Sequence, residues 1–192
     1  MIIIGLDPSL TSAGIAILDN GTPTLLASIG HPSQGRSFAH RSRRIVSQCR
    51  AIVNALPERA DLVVIEEPAW GINMPSAHDR AGLWWGLYSA LTAKGHTIAV
   101  VNPKTRAKWA SGTGAASKTQ VLEAVRTTWA PWRLRITNDD VADALTLAEI
   151  GARHVGEELH FMPRRRHIEA LAGMTLPVAA PVIELMAPEP SP

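Results

Sequence analysis

Carboxylates stand at four places in the chain where a carboxylate has no packing role. Asp7 ends the apolar run Ile2-Ile3-Ile4-Gly5-Leu6, and Glu66-Glu67 end a second run, Leu62-Val63-Val64-Ile65. Asp140 and Asp143 sit three apart on a stretch whose helical periodicity puts them on one face with Ala144 and Leu147. Burying an unpaired carboxylate costs on the order of several kcal/mol, so each acid needs a partner. Asp7 either caps the turn at Pro8-Ser9 or directs its charge at a cation. An Asp near a helix N-terminus favours the dipole, which accounts for Asp139 or Asp140 but not for Asp143 on an apolar stripe. Brought together, four such acids are stable only around cations, and all-oxygen ligation points to Mg²⁺, with Mn²⁺ as a substitute. Two ions about 3.5–4 Å apart would clamp the attacking water and the leaving oxygen of a phosphodiester. No His-x-x-x-His or Cys-x-x-Cys spacing offers a zinc site.

The elements that must carry these residues read as alternating strands and helices. Both apolar runs have the composition of strands buried on two faces. Residues 13–19 alternate and end at Asn20-Gly21, a hairpin signal, with residues 24–29 as the returning strand. The first three strands therefore form an antiparallel meander around the opening strand. If the strands ending in Asp7 and Glu66 are parallel neighbours, both acids emerge at one carboxyl-terminal edge, where open α/β sheets place their ligands. Strand alternation allows only one of Glu66 and Glu67 to join Asp7. Helices are expected over 37–56, over 76–94 with Gly95 ending it, from Asn102-Pro103, from the capping box Ser117-Lys118-Thr119-Gln120, and over 139–154 behind an Asn138 cap. A fifth strand spans 97–101. The helix over 76–94 is apolar around most of its girth: Ala77, Ala81, Trp84, Tyr88 and Leu91 form a stripe that Leu83, Trp85 and Leu87 widen. One side can meet the sheet and the other a symmetry mate, so a homodimer is expected, with Trp85 and Leu87 as its test positions.

With 192 residues the chain is long enough for one domain with a sizeable core, and 46% hydrophobic with 19% charged residues is ordinary globular composition. The single Cys49 excludes an internal disulfide framework and fits a reducing compartment. The N-terminal apolar run lacks a basic flank and is too short for a signal peptide or membrane span, so a cytoplasmic protein is expected. The net charge is only +2, but its distribution is uneven. Arg36, Arg41, Arg43, Arg44 and Arg50 crowd one segment and Arg164-Arg165-Arg166-His167 another, with Arg41 and Arg44 as candidate DNA contacts. Beyond His154 periodicity weakens to one basic helix over 163–173. From Met174 onward, prolines predict an extended, mobile tail, giving a division into 1–154 and 155–192.

The series Ile-Gly-Leu-Asp-Pro-Ser with Gly-Ile-Ala, then Val-Ile-Glu-Glu, Ser-Lys-Thr-Gln-Val and Asp-Asp-Val-Ala-Asp-Ala-Leu resembles the RuvC-type Holliday junction resolvases of the ribonuclease H-like superfamily. The resemblance covers about residues 1–154. It implies a five-stranded mixed sheet flanked by helices, a homodimer, and Mg²⁺-dependent nicking of four-way DNA junctions. It puts the catalytic, metal-binding acids at Asp7, Glu66, Asp140 and Asp143, favouring Glu66 over Glu67. It puts the basic residue beside the active site at Lys118 and the DNA-probing aromatic at Trp70. Lys104 or Lys108 would add a phosphate contact, on a looser match.

Other classes fit less well. Residues 112–119 nearly spell a phosphate-cradling loop, but Ser117 stands where glycine is needed and no apolar strand precedes it. An actin-like ATPase needs two such domains, and one fills this chain. A non-catalytic DNA-binding relative would have lost an acid, and none is missing. A nuclease with a broader taste for branched DNA remains open alongside the junction resolvase.

Overall fold

The computed structural model describes residues 1–32, 35–68 and 76–172. Five strands, β1 (Ile2–Asp7), β2 (Ala13–Asp19), β3 (Thr22–Ile29), β4 (Leu62–Glu66) and β5 (Ile98–Val101), form one sheet in the order β3-β2-β1-β4-β5. β1 is antiparallel to β2 and parallel to β4, and β4 is parallel to β5. The opening strand is thus central, as its two-faced burial requires. The Asn20-Gly21 turn has both residues at positive φ (48° and 74°), which suits a tight hairpin. β3 starts at Thr22 rather than Thr24, because Pro23 lies on the sheet's edge, where its missing N–H costs no ladder bond.

Six helices among the described residues cover the sheet: α1 (Phe38–Ala55), α2 (Ala77–Ala93), α3 (Pro103–Ser111), α4 (Lys118–Trp129), α5 (Asp139–His154) and α6 (Arg165–Leu171). Their starts follow the sequence chemistry. Asn102 accepts from the Lys104 N–H, Ser117 and Gln120 form a reciprocal capping box, and Asn138 accepts from the Val141 N–H. α1 and α2 pack on one face, where Ile4, Leu6, Ile15, Val63 and Ile65 meet Ile52, Leu83, Leu87 and Leu91. Leu87 is fully enclosed there, so it belongs to the sheet side of α2 and not to an outward side; Trp85 stays 53% exposed.

α5 covers the other face and touches it far more closely. A Cβ added to Gly5 would lie 2.0 Å from the Ala144 carbonyl oxygen, and one on Gly14 would lie 1.9 Å from that of Asp140. Side chains there would hold the helix off the sheet. Two glycines on adjacent strands thereby let the backbone of α5 rest on β1 and β2, and every residue from Val141 to Ala152 is buried. Residues 155–172 return along α3, with Leu159, Phe161 and Leu171 packed against the same core. The proline-rich tail expected from 174 lies outside the described residues.

Candidate active site

Alternation decides which acids share a face. Ile3 and Gly5 look toward α5, so Asp7 at the end of β1 does too; Leu62 and Val64 look the same way, and so does Glu66. The parallel register aligns Leu6 with Ile65, which leaves Asp7 and Glu66 as the next matched positions at the carboxyl edge. Glu67 has the opposite parity. Its N–H extends the ladder to the Val101 carbonyl (2.8 Å), and its carboxylate accepts from Asn102 Nδ2 (2.7 Å). Glu66 is therefore the acid that joins Asp7.

The first two turns of α5 bring the remaining pair. Asp143 is 3% exposed, and Asp140 accepts a short hydrogen bond from the Ser12 hydroxyl. Burial raises the Asp7 carboxyl well above the ordinary range, and the charges of Glu66, Asp143 and Asp140 add to the effect, against the opposing Arg106. Burial likewise pushes Asp143 up to about 7, with Glu66 raising it further and Arg106 and Lys118 pulling it down. Burial and the neighbouring carboxylates thus favour the protonated forms of Asp7 and Asp143.

A residue missed by sequence reasoning sits among them. Arg106, from the first turn and a half of α3, is 8% exposed and donates through Nε to Glu66 Oε2 and through Nη1 to Asp143 Oδ1. Among the described residues, no three acidic or His/Cys side chains are grouped closely enough to share one ion. The signal was available: Arg106 lies on the stripe shared with Ala107 and Ala110, where a charge has no packing reason to be.

The other candidate residues are distributed differently. Lys118, at the start of α4, pairs with Asp139 Oδ2 at 2.8 Å; that bond, together with the attraction of Asp140 and Asp143, raises its pKa. Lys104 is exposed on the first turn of α3, and Lys108 reaches Glu169 of α6 at 3.0 Å. Arg41 grips Asp79 with Nε and Nη2 (2.6–3.0 Å), tying α1 to α2, and Arg44 donates to the His31 carbonyl at 3.0 Å. Both arginines hold parts of the fold and neither joins the acid cluster. Trp70 lies outside the described residues. No helix of the described residues is long and apolar enough to cross a membrane.

No family model matches the chain. Two curated relatives do, the crossover junction endodeoxyribonucleases RuvC of Rickettsia conorii (strain ATCC VR-613 / Malish 7), 30% identical, and Rickettsia massiliae (strain Mtu5), 29% identical. Each aligns over 151 residues, 77% of this chain and 94% of the relative. Among solved structures, Thermus thermophilus RuvC superposes with a TM-score of 0.60 at 18% identity, covering 82% of this chain and 98% of that one. The same protein in complex with a Holliday junction substrate gives 0.59 at 19% identity, with 78% and 91% covered. The central strand, the acids gathered at its carboxyl edge and the extent of the Rickettsia match agree, and the chain belongs to the RuvC crossover junction endodeoxyribonuclease family.

Proposed function

We propose that this protein cuts four-way DNA junctions by metal-dependent phosphodiester hydrolysis, as a homodimer, with Asp7, Glu66, Asp140 and Asp143 as its metal-binding acids. The observation that carries the reading is the meeting of carboxylates from β1, β4 and α5 on one face of the sheet edge, where burial and the neighbouring acids raise the proton affinity of Asp7 and Asp143. Such a cluster is an all-oxygen donor set with surplus negative charge, which fits Mg²⁺ or Mn²⁺, and the number of carboxylates suits two ions. Bound there, the cations would activate water and stabilise charge on the attacking and leaving oxygens.

The chain's own residues have separate tasks. Ser12 orients Asp140 through its hydroxyl, itself 2.7 Å from the Ser28 hydroxyl. Lys118, 72% exposed at the side chain and held by Asp139, offers an ammonium to the scissile phosphate. Lys104 and Lys108 suit backbone phosphates, and Trp70 suits stacking on an unpaired base near the exchange point. The half-exposed Trp85 on α2, edge-on to Trp84 with ring centroids 4.9 Å apart, suits the two-fold contact.

The test is a cleavage panel in which labelled four-way junction, flap and linear duplex are each incubated with Mg²⁺, Mn²⁺, Ca²⁺ or EDTA, and with ATP as a control. Paired nicks in the junction with Mg²⁺ or Mn²⁺ are expected. Equal cutting of flaps would widen the substrate class, and no cutting of any branched DNA would overturn the reading. Light scattering should report a dimer that Trp85→Glu dissociates.

A further inference from the structure

Arg106 is unusual for a residue beside metal-binding acids. Its guanidinium reaches two carboxylates on different elements, Glu66 on β4 and Asp143 on α5, from a third element, α3. A guanidinium presents several N–H donors in a fixed planar fork, so bridging two carboxylates suits it in a way that a lysine ammonium does not match. The oxygens it engages belong to the acids that a metal would need. A cation and a guanidinium of like charge compete for those oxygens.

Resting on the metal-site reading above, we infer that Arg106 is the built-in counter-ion of the metal-free site, holding Glu66 and Asp143 together until a divalent cation displaces it. It is a positioning residue whose charge sets how much metal the site needs. Without metal, the guanidinium offsets the repulsion among buried acids and keeps β4, α3 and α5 in register. When metal arrives, Glu66 Oε2 and Asp143 Oδ1 must turn from the guanidinium, so each loading event works against two charge-assisted hydrogen bonds. Removing the guanidinium therefore has effects of opposite sign: the metal-free protein loses stability and the site gains affinity for metal. A purely structural arginine would give only the first effect, and an arginine reserved for DNA phosphate would give neither.

The experiment titrates the full-length protein, without DNA, with Mn²⁺ followed by electron paramagnetic resonance, and measures Tm in EDTA and in Mn²⁺. Arg106→Gln should lower the Tm in EDTA, bind Mn²⁺ at least about tenfold more tightly than wild type, and gain more Tm from Mn²⁺ than wild type gains. Arg106→Lys keeps one charge but cannot bridge both acids; it should fall between the two and decides the matter if the Gln variant does not fold. Affinity equal to or weaker than wild type in every folded variant would overturn the counter-ion role. Asp7→Asn separates this from the underlying reading. If wild-type Mn²⁺ binding depends on Asp7 while Arg106 variants bind no tighter, the metal site stands and the counter-ion falls. If Asp7 makes no difference to Mn²⁺ binding, the metal site itself fails.

Discussion

Helix α5 carries two buried carboxylates with nearly the same proton affinity and opposite company. Asp143 and Glu149 are each 3% exposed, and burial pushes both up to about 7. Around Asp143 stand other acids and a charged guanidinium, at the edge of the sheet. Around Glu149 stand two indoles: Trp109 Nε1 donates to Oε2 at 2.7 Å and Trp129 Nε1 donates to Oε1 at 2.5 Å. Each carboxylate oxygen of Glu149 thus has one neutral donor, and α3 and α4 are pinned to α5 through it. A raised carboxyl pKa does not mark a site by itself. What separates the two acids is whether their neighbours add charge that only a cation relieves, or supply dipoles that already satisfy the group.

The largest difference should appear in chemistry. Asp7→Asn, which removes a charge from the cluster and keeps its shape, should lower junction nicking by at least about 10²–10³-fold while leaving junction binding intact in a mobility-shift assay. Glu149→Gln should nick at close to the wild-type single-turnover rate at a temperature where it is folded. Comparable losses in both variants would erase the distinction between the two acids. Lys118→Ala should come next, slowing single-turnover cleavage on the order of 10²-fold with little change in binding, since its ammonium is a donor near the cluster and not a member of it. An unchanged rate would reduce Lys118 to a partner of Asp139.

The same contrast explains what could be read in the sequence. Asp7, Glu66 and Asp143 were legible because each breaks an apolar pattern, and the parallel strand pair put the first two on one edge. Glu66 and Glu67 could not be separated by alternation alone, since the choice depends on the register Leu6–Ile65, which only the folded sheet supplies. Gly5 and Gly14 were visible as residues but not as reasons, because their role is to admit the backbone of a helix more than a hundred residues away. Arg106 obeyed the rule that revealed Asp143, a charge on an apolar stripe, yet its partners lie on β4 and α5 and no local pattern joins them. The pinning by Glu149 was invisible for the same reason: two tryptophans on separate helices give no spacing to read.

Smaller than the catalytic losses is the stability effect at Glu149. In Glu149→Gln the amide carbonyl can accept from one indole, while its NH₂ faces the other, leaving a buried donor without an acceptor. That should cost about 1–3 kcal/mol at pH 6, measured by urea denaturation. Glu149→Gln that is as stable as wild type would show that the two indole bonds contribute nothing and that packing alone holds α3 and α4 on α5.

The smallest effect is also the most specific, and concerns pH. The folded-state pKa of Glu149 lies near 7, above the unfolded value of 4.5, so the native state binds its proton more tightly. A carboxyl raised in this way contributes stability that is complete below about pH 4.5 and is lost as pH rises through about 7. His167, stacked on Trp109 with ring centroids 4.4 Å apart, is pushed down to about 4 by burial and by the neighbouring Arg166 and Arg164. It acts with the other sign, because its stabilising neutral form is lost to protonation as pH falls from 6.5 toward 4. The raw stability curve of the wild type therefore mixes two opposing contributions in the same corner of the core. Subtracting the Glu149→Gln curve removes His167, which both proteins share, and isolates the acid. The wild type's advantage should be greatest below about pH 4.5 and shrink by on the order of 1 kcal/mol or more by pH 8. An advantage that grows with pH would mean that the two indole bonds, which favour the carboxylate, outweigh the cost of burying its charge, and that Glu149 is an anion held by dipoles in the folded protein.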